Sequence, residues 1–485
     1  MATVLFAATT TAVGRELWRT DGTSDGTALV RDINVGGDSF PLSLTDVGGT
    51  LFFRAEDSTV GRELWKSDGT SDGTVMVKDI APGAGHSTPG DFTDFGGTLF
   101  FSATDGTNGV ELWKSDGTSA GTVMVRDLNP TGSSSPSDLT VVDGTLYFTT
   151  NIRATGIELF KTDGTSDGTV IVRDIRPGMA SGNPSELTDL NGTLVFSASD
   201  SIAGAELWKS DGTSTGTVIV KDINPGTAGS SISATEVVNG TLFFKATAPS
   251  IGSELWKSDG TSDGTVLVRD INTGTAGSAI LYPTPMGGTL FFRADDGTHG
   301  VELWKSDGTS QGTGLVRDIN PGSLGSAVSE PAVVDGTLFF TADDGTHGVE
   351  LWKSDGTSDG TMLVRDIAPG ADGSTLSSLT NINGTLFFRA YDTTDGSQVW
   401  TSDGTSEGTV RVARFDDPEN NGHQFVVLSD TVPPVVSAPD LVAADDSGTS
   451  DHDDLTKETT PTFVGTGEED AVVLLLDGTD TLGTA

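Results

Sequence analysis

Apolar residues in this chain fall in short runs separated by glycine-rich turns, not at helical spacing. Leu51-Phe52-Phe53 and Val75-Met76-Val77 are typical, and the runs are bounded by Asp-Gly, Asn-Gly and Gly-Gly pairs. No amphipathic stretch at helical spacing exceeds a turn or two. This is strand and hairpin punctuation, and it predicts an all-β protein.

The runs recur. Aligned on Glu-Leu-Trp, anchor aromatics fall at Trp18, Trp65, Trp113, Phe160, Trp208, Trp256, Trp304, Trp352 and Trp400, with successive anchors 47 or 48 residues apart. A fixed period of this size marks a repeat architecture. In the second copy, strands are predicted at Leu51–Ala55, Glu63–Asp68 and Thr74–Ile80. A short segment, Phe92–Phe95, then turns at Gly96-Gly97 into the next copy. The equivalent turns include Asp143-Gly144, Asn191-Gly192, Asn239-Gly240, Asp335-Gly336 and Asn383-Gly384. Such pairs favour two-residue hairpins, because both central residues take positive φ. Each unit therefore holds four short antiparallel strands, the content of a propeller blade.

Joining the Glu-Leu-Trp strand to the next through Gly69–Asp72 sets Trp65 opposite Met76, Leu64 opposite Val77 and Glu63 opposite Lys78. Glu recurs at 16, 111, 158, 206, 254, 302 and 350. A base recurs as Arg31, Arg126, Arg173, Lys221, Arg269, Arg317 and Arg365. The ninth copy has Gln398 and Ala413, so both charges vanish together. This predicts one cross-strand Glu–Arg/Lys pair in each of eight blades. Losing one buried partner would cost about 3–5 kcal/mol. The chain begins on the second type of strand, Thr3–Phe6, and the repeats end on the first type, Gln424–Leu428. The last strand can complete the first blade and close the ring. The predicted fold is a closed β-propeller of about nine four-stranded blades over residues 1–430, followed by a partial Ig-like β-sandwich segment over 431–485.

Composition adds partners and compartment. The formal charge of -42 repels nucleic acid and anionic lipid and suits a soluble secreted protein. It also attracts divalent cations. The chain has no Cys, which favours a bacterial product without disulfides. Met1–Phe6 lacks the basic and long apolar regions of a signal peptide, so export would use another signal. No apolar stretch is long enough to span a membrane.

The string Glu63-Leu64-Trp65-Lys66-Ser67-Asp68-Gly69-Thr70 resembles the signature of bacterial ELWxxDGT repeat proteins, and the match recurs over residues 1–430. The blade plan is also similar to kelch repeats. The resemblance implies large secreted or surface bacterial proteins and no defined activity. After Asp430-Thr431-Val432-Pro433-Pro434 the composition shifts. The segments Ala438–Leu441 and Thr459–Phe463 resemble the start of bacterial Ig-like repeats of giant adhesins, about half a domain long.

Candidate sites follow where the copies carry chemistry. The Trp row suggests carbohydrate stacking, but alternation puts each ring between blades and Phe160 substitutes for one, which favours packing. The Asp-Gly-Thr-Ser-Asp-Gly-Thr turns lack the Asp-x-Asp-x-Asp-Gly spacing and distal Glu of calcium loops, and Asp caps turns by itself. The hairpins of copies seven and eight are a candidate ligand site: Asp295, Asp296 and His299, and Asp343, Asp344 and His347. The cluster Asp440, Asp445, Asp446, Asp451, Asp453 and Asp454 is the candidate calcium site. Its resemblance to Ig-like junctions implies Ca2+ as cofactor, against a flexible acidic linker.

These features predict a non-enzymatic binding or display module of a secreted or cell-surface bacterial protein. Adhesion through a protein or carbohydrate ligand is expected, from a monomer within a larger multidomain chain. The alternatives are a propeller hydrolase or lyase and a structural spacer. Catalysis needs unlike groups converging on one site, so an enzyme must break the repeat's symmetry in the channel.

Overall fold

The computed structural model describes residues 3–417 and 424–428, with strand segments at 440–441, 463–464, 474–477 and 480–484. Its first unit, Met1–Leu428, contains nine four-stranded antiparallel sheets. In blade two the strands are Leu42–Val47, Thr50–Asp57, Gly61–Ser67 and Val75–Lys78. The first strands of neighbouring blades pack side by side around the axis, so they line the channel and the fourth strands lie outermost. The turns between first and second strands take the left-handed backbone that Asn-Gly and Gly-Gly favour. Asn191 has φ 54° and Gly192 has φ 82°.

Each second strand is buried on both faces, because a blade is covered by two neighbours. Phe53, Phe101, Phe148, Phe244, Phe340 and Phe388 are fully buried. One apolar cluster fills each of the nine junctions. At the junction of blades four and five, Trp208 packs with Val142, Tyr147, Leu159 and Phe196 and is 4% exposed. The Trp row is thus core, and the indole N–H of Trp208 finds no acceptor. Trp208→Ala is expected to cost about 3–5 kcal/mol, read as a loss in chemical-denaturation midpoint with unchanged slope. A variant as stable as wild type would remove the packing role.

The ring closes as the strand offset predicts. Val426 and Val427 pair with Leu5 and Val4, giving blade one its innermost strand. Phe425 joins Phe6, Phe387 and Phe415 in the cluster between blades nine and one.

The register beside the Glu-Leu-Trp strand needs correction. Trp65 does face Met76, but Leu64 faces Lys78, and a bulge leaves Val77 as the extra residue. The same shift sits before the anchor aromatic in every blade. One extra residue reverses every side chain beyond it. Glu63 and Lys78 therefore point to opposite faces, and the predicted ion pairs do not form.

Each partner serves a different connection. Glu63 is fully buried and accepts from the N–H groups of Ile80 (2.8 Å) and Ser87 (3.1 Å) and from Ser87 Oγ (2.6 Å). It ties down the long loop to blade three. The base reaches forward instead. Arg31 donates to Thr74 O at 2.7 Å, Lys78 to Thr122 O at 2.7 Å and Arg365 to Thr409 O at 2.6 Å, always in the next blade. A second base, such as Lys114 to Gly164 O at 2.9 Å, reaches the same turn. The double loss in blade nine has two causes. Gln398 keeps the anchoring role, bonding to Phe415 N at 2.7 Å and Phe415 O at 2.8 Å. Ala413 removes only the forward arm.

The second unit, Ser429–Ala485, shows two short hairpins among its described residues. Asp440–Leu441 pairs with Phe463–Val464, and Leu474–Asp477 pairs with Asp480–Thr484.

Candidate functional site

The Asp-Gly-Thr turns are self-contained. Asp68 Oδ1 accepts from Thr70 N (2.9 Å) and Thr70 Oγ1 (2.7 Å), which holds its carboxyl below the usual range. A side chain at Gly73 would meet that carboxylate at 2.0 Å, so the second glycine is obligatory. The Asp serves turn geometry.

The hairpins of blades seven and eight are locked in the same way. Asp296 Oδ1 accepts from Thr298 N and His299 N, both at 2.9 Å, and Oδ2 meets His299 Nδ1 at 2.8 Å. Asp295 Oδ1 accepts from Gly297 N at 2.7 Å. Asp343, Asp344 and His347 repeat this arrangement. The hydrogen bond to its Asp, with the charge behind it, raises each His above its ordinary value. Each Asp–His pair closes within its own loop. Among the described residues, no three His, Asp or Glu side chains converge as metal ligands would. In the acidic cluster, Asp440 supplies backbone to a two-residue strand. Asp445, Asp446, Asp451, Asp453 and Asp454 lie outside the described residues.

The buried glutamates form the largest titrating set. Burial raises Glu16 and Glu254 to about 7 and also raises Glu63, Glu111, Glu158, Glu206, Glu302 and Glu350. The geometry accommodates the proton. Ser39 Oγ lies 2.6 Å from Glu16 Oε2 and 3.2 Å from Arg15 O. On protonation of Glu16 the hydroxyl can turn its hydrogen to the carbonyl and accept from the carboxyl. Blade four has Gly182 in place of the serine, and its backbone N–H bonds Glu158 at 2.7 Å.

The symmetry break that sequence reading missed lies on the innermost strands. The second residue of each is Ser43, Asp91, Asp138, Glu186, Ala234, Tyr282, Glu330 or Ser378, all with φ between 51° and 59°. Gln424 stands there in blade one. The backbone is repeated and the side chain is not. Where this side chain is an acceptor, it can take an N–H of the next inner strand: Gln424 from Leu44 (2.9 Å), Asp138 from Leu187 (3.2 Å), Glu330 from Ser378 (3.1 Å). After Ala234 and Tyr282, which carry no carboxylate, the following strands offer Pro283 and Pro331, which have no N–H. The signal was visible as a varying column in the repeat, but only the ring places that column on the channel wall.

Blades three to five thereby present Asp91, Asp138 and Glu186 in succession. Burial raises the Asp138 carboxyl; Leu187 N–H opposes this, while the charges of Glu186 and Asp91 add to it. Asp91 Oδ2 accepts from Ser102 Oγ at 2.7 Å. The arc sets one carboxyl of raised proton affinity between two others.

Comparison with known proteins gives a family for one end of the chain. Residues 431–485 match the bacterial Ig-like domain family. No curated protein matches the chain. Among solved structures, it is similar to a puromycin hydrolase at 14% identity, covering 70% of this chain and 55% of that one, with a TM-score of 0.39. A prolyl endopeptidase structure gives 12%, 79%, 54% and 0.42. Oligopeptidase B from Leishmania major gives 12%, 73%, 51% and 0.40. This chain spans about half the length of these proteins. At these values the likeness describes fold. The similar solved proteins bear hydrolase and peptidase names, which runs against the expectation of a non-enzymatic display or adhesion module. Among the described residues, no helix is long and apolar enough to cross a membrane. The chain is an all-β protein with a nine-bladed propeller ring and a bacterial Ig-like domain at its C-terminus.

Proposed function

We propose that the ring is a propeller hydrolase that works at its channel wall, with Asp138 as the proton-transferring group flanked by Asp91 and Glu186. The observation that carries this reading is the succession of three carboxyls on neighbouring innermost strands, the middle one raised by burial and by the other two. A carboxyl raised by burial and by two like charges holds its proton to higher pH than an ordinary aspartate, which suits proton transfer. Peptides are the first substrate class to test, since an exposed line of acceptors along the channel suits a chain of amide donors. The resemblance to ELWxxDGT repeats and the Ig-like unit support a bacterial, extracytoplasmic setting. The test is a panel of fluorogenic peptides. Wild type is expected to hydrolyse at least one, and Asp138→Asn to lose about 100-fold or more in rate with an unchanged melting temperature. A panel wholly uncleaved by wild type, or cleaved equally by the Asn variant, would refute it.

A further inference from the structure

The channel wall at blades seven and eight differs from the acidic arc, at a place where the inner hydrogen bonds are interrupted; Glu330, the acid of the blade-eight inner strand, accepts from Ser378 N–H of blade nine at 3.1 Å. Blade seven has Tyr282 at the left-handed position (φ 55°), an unusual residue for such backbone. It is followed by Pro283, and the matching residue of blade eight is Pro331. No side chain-to-backbone bond of the kind made by Asp138 forms between these blades. Arg293 pairs in register with Leu281, beside Tyr282. Its Cζ lies 5.4 Å from the centre of the Tyr282 ring. Among the described residues its guanidinium makes one weak hydrogen bond, from Nη1 to Val328 O at 3.5 Å, and its buried Nε has no partner. An apolar cleft lies alongside, lined by Phe291, Val328, Pro331 and Leu338. It admits a group no larger than a carboxylate or a methyl.

We infer that Arg293 and Tyr282 form a carboxylate-binding site at the channel mouth between blades seven and eight, for a ligand that carries its carboxylate on a flat or apolar body. A guanidinium held by one weak hydrogen bond keeps N–H donors free for a carboxylate, and its charge favours an anion. Tyr282 holds the guanidinium plane on one side and offers its own half-exposed ring to the ligand body. Arg54 of blade two shares the buried Nε without a partner but has Ser43 where blade seven has Tyr282. Arg389 is fully buried and donates to Ser397 Oγ at 3.1 Å, and its inner-strand neighbour is Ser378. Blade seven alone joins a base to an aromatic residue and to prolines in the inner strands on both sides of the junction. The site is separate from the acidic arc and needs no hydrolysis.

The experiment is saturation-transfer NMR on the full chain with benzoate as probe and benzamide and benzylamine as controls. Benzoate is expected to show transfer in the millimolar range, and benzamide at least tenfold less. Benzylamine binding equal to benzoate would overturn the inference, since the acidic surface alone then governs. Arg293→Thr copies the residue that blade eight carries naturally at this position, Thr341, and so keeps the blade foldable. It should abolish the benzoate signal, and Tyr282→Ser, as in blade two, should weaken it about fivefold. Benzoate transfer unchanged in Arg293→Thr, or absent from wild type at ten millimolar, would overturn the site.

Discussion

A chain ending at residue 423 is expected to lose the cooperative unfolding of the ring, whereas one ending at residue 430 keeps it. The five residues between Gln424 and Leu428 make the difference. They give blade one its innermost strand through Val4 and Leu5. Gln424 also accepts from Leu44 N–H at 2.9 Å, so the segment reaches into blade two. Phe425 is buried against Phe6 and Phe387, and its removal alone empties a space that costs several kcal/mol, about 3–5. Without the segment, Val4–Thr10 becomes an open channel edge and the junction of blades nine and one loses its cover. The shorter chain should unfold in a broad, multistep melt with early exchange of amides in blades nine and one. A single sharp transition at the temperature of the longer chain would show that the ring closes without its terminal strand.

The second large effect separates glutamate from its charge. Glu302 accepts from Ile319 N and Asn320 N at 3.2 Å and from Ser326 Oγ at 2.6 Å, with no exposure. Glu302→Ala strands these donors and leaves a cavity, a cost of about 3–5 kcal/mol. Glu302→Gln keeps size and one acceptor but turns an NH2 toward N–H donors, so it should cost about 1–2 kcal/mol, less than the Ala variant; blade nine suits Gln398 because Phe415 O accepts from its NH2. The pH profile distinguishes the two roles. These carboxyls bind a proton more tightly in the folded ring than in the unfolded chain. Their contribution is therefore full below about pH 4.5 and is lost as pH rises through about 7. The turn aspartates act in the other direction. Asp68, Asp211 and Asp307 are held low, so their contribution fades as pH falls below their ordinary value of 3.8. The melting temperature should rise on acidification from pH 8 to about 5 and fall again below about 4. Each Glu→Gln substitution should flatten the upper limb. A melting temperature that falls steadily from pH 8 to 5 would contradict the burial-driven shift.

The period, the four strands per unit, the hairpin turns and the closing strand were legible because each has a local signature. Two-residue turns need Asn-Gly or Gly-Gly, and the strand offset shows at the chain's two ends. The register was not, because the bulge at Val77 leaves no mark: the run Thr74–Ile80 alternates acceptably with or without it. The coincident loss of Glu and Arg in blade nine then lent support to a pairing that does not exist. Glu16 and its equivalents read as halves of buried ion pairs, and only the fold reveals that a long loop closes over them and supplies their partners. The Asp–His hairpins were conspicuous as motifs but proved complete in themselves. The channel wall was inconspicuous because it resides in a varying column, which alignment on Glu-Leu-Trp treats as noise.

The forward-reaching bases have one more consequence. Arg31, Lys78 and their equivalents each hold a carbonyl of the following blade, so blades one to eight share a giving edge of one kind, and each blade after the first receives it in the same turn. Such parts are interchangeable along the gene. Duplication or deletion of one 48-residue unit leaves every junction chemically complete, and only the angle between blades limits how many fit around the circle. Blade count is then a quantity that recombination can adjust without inventing a new contact.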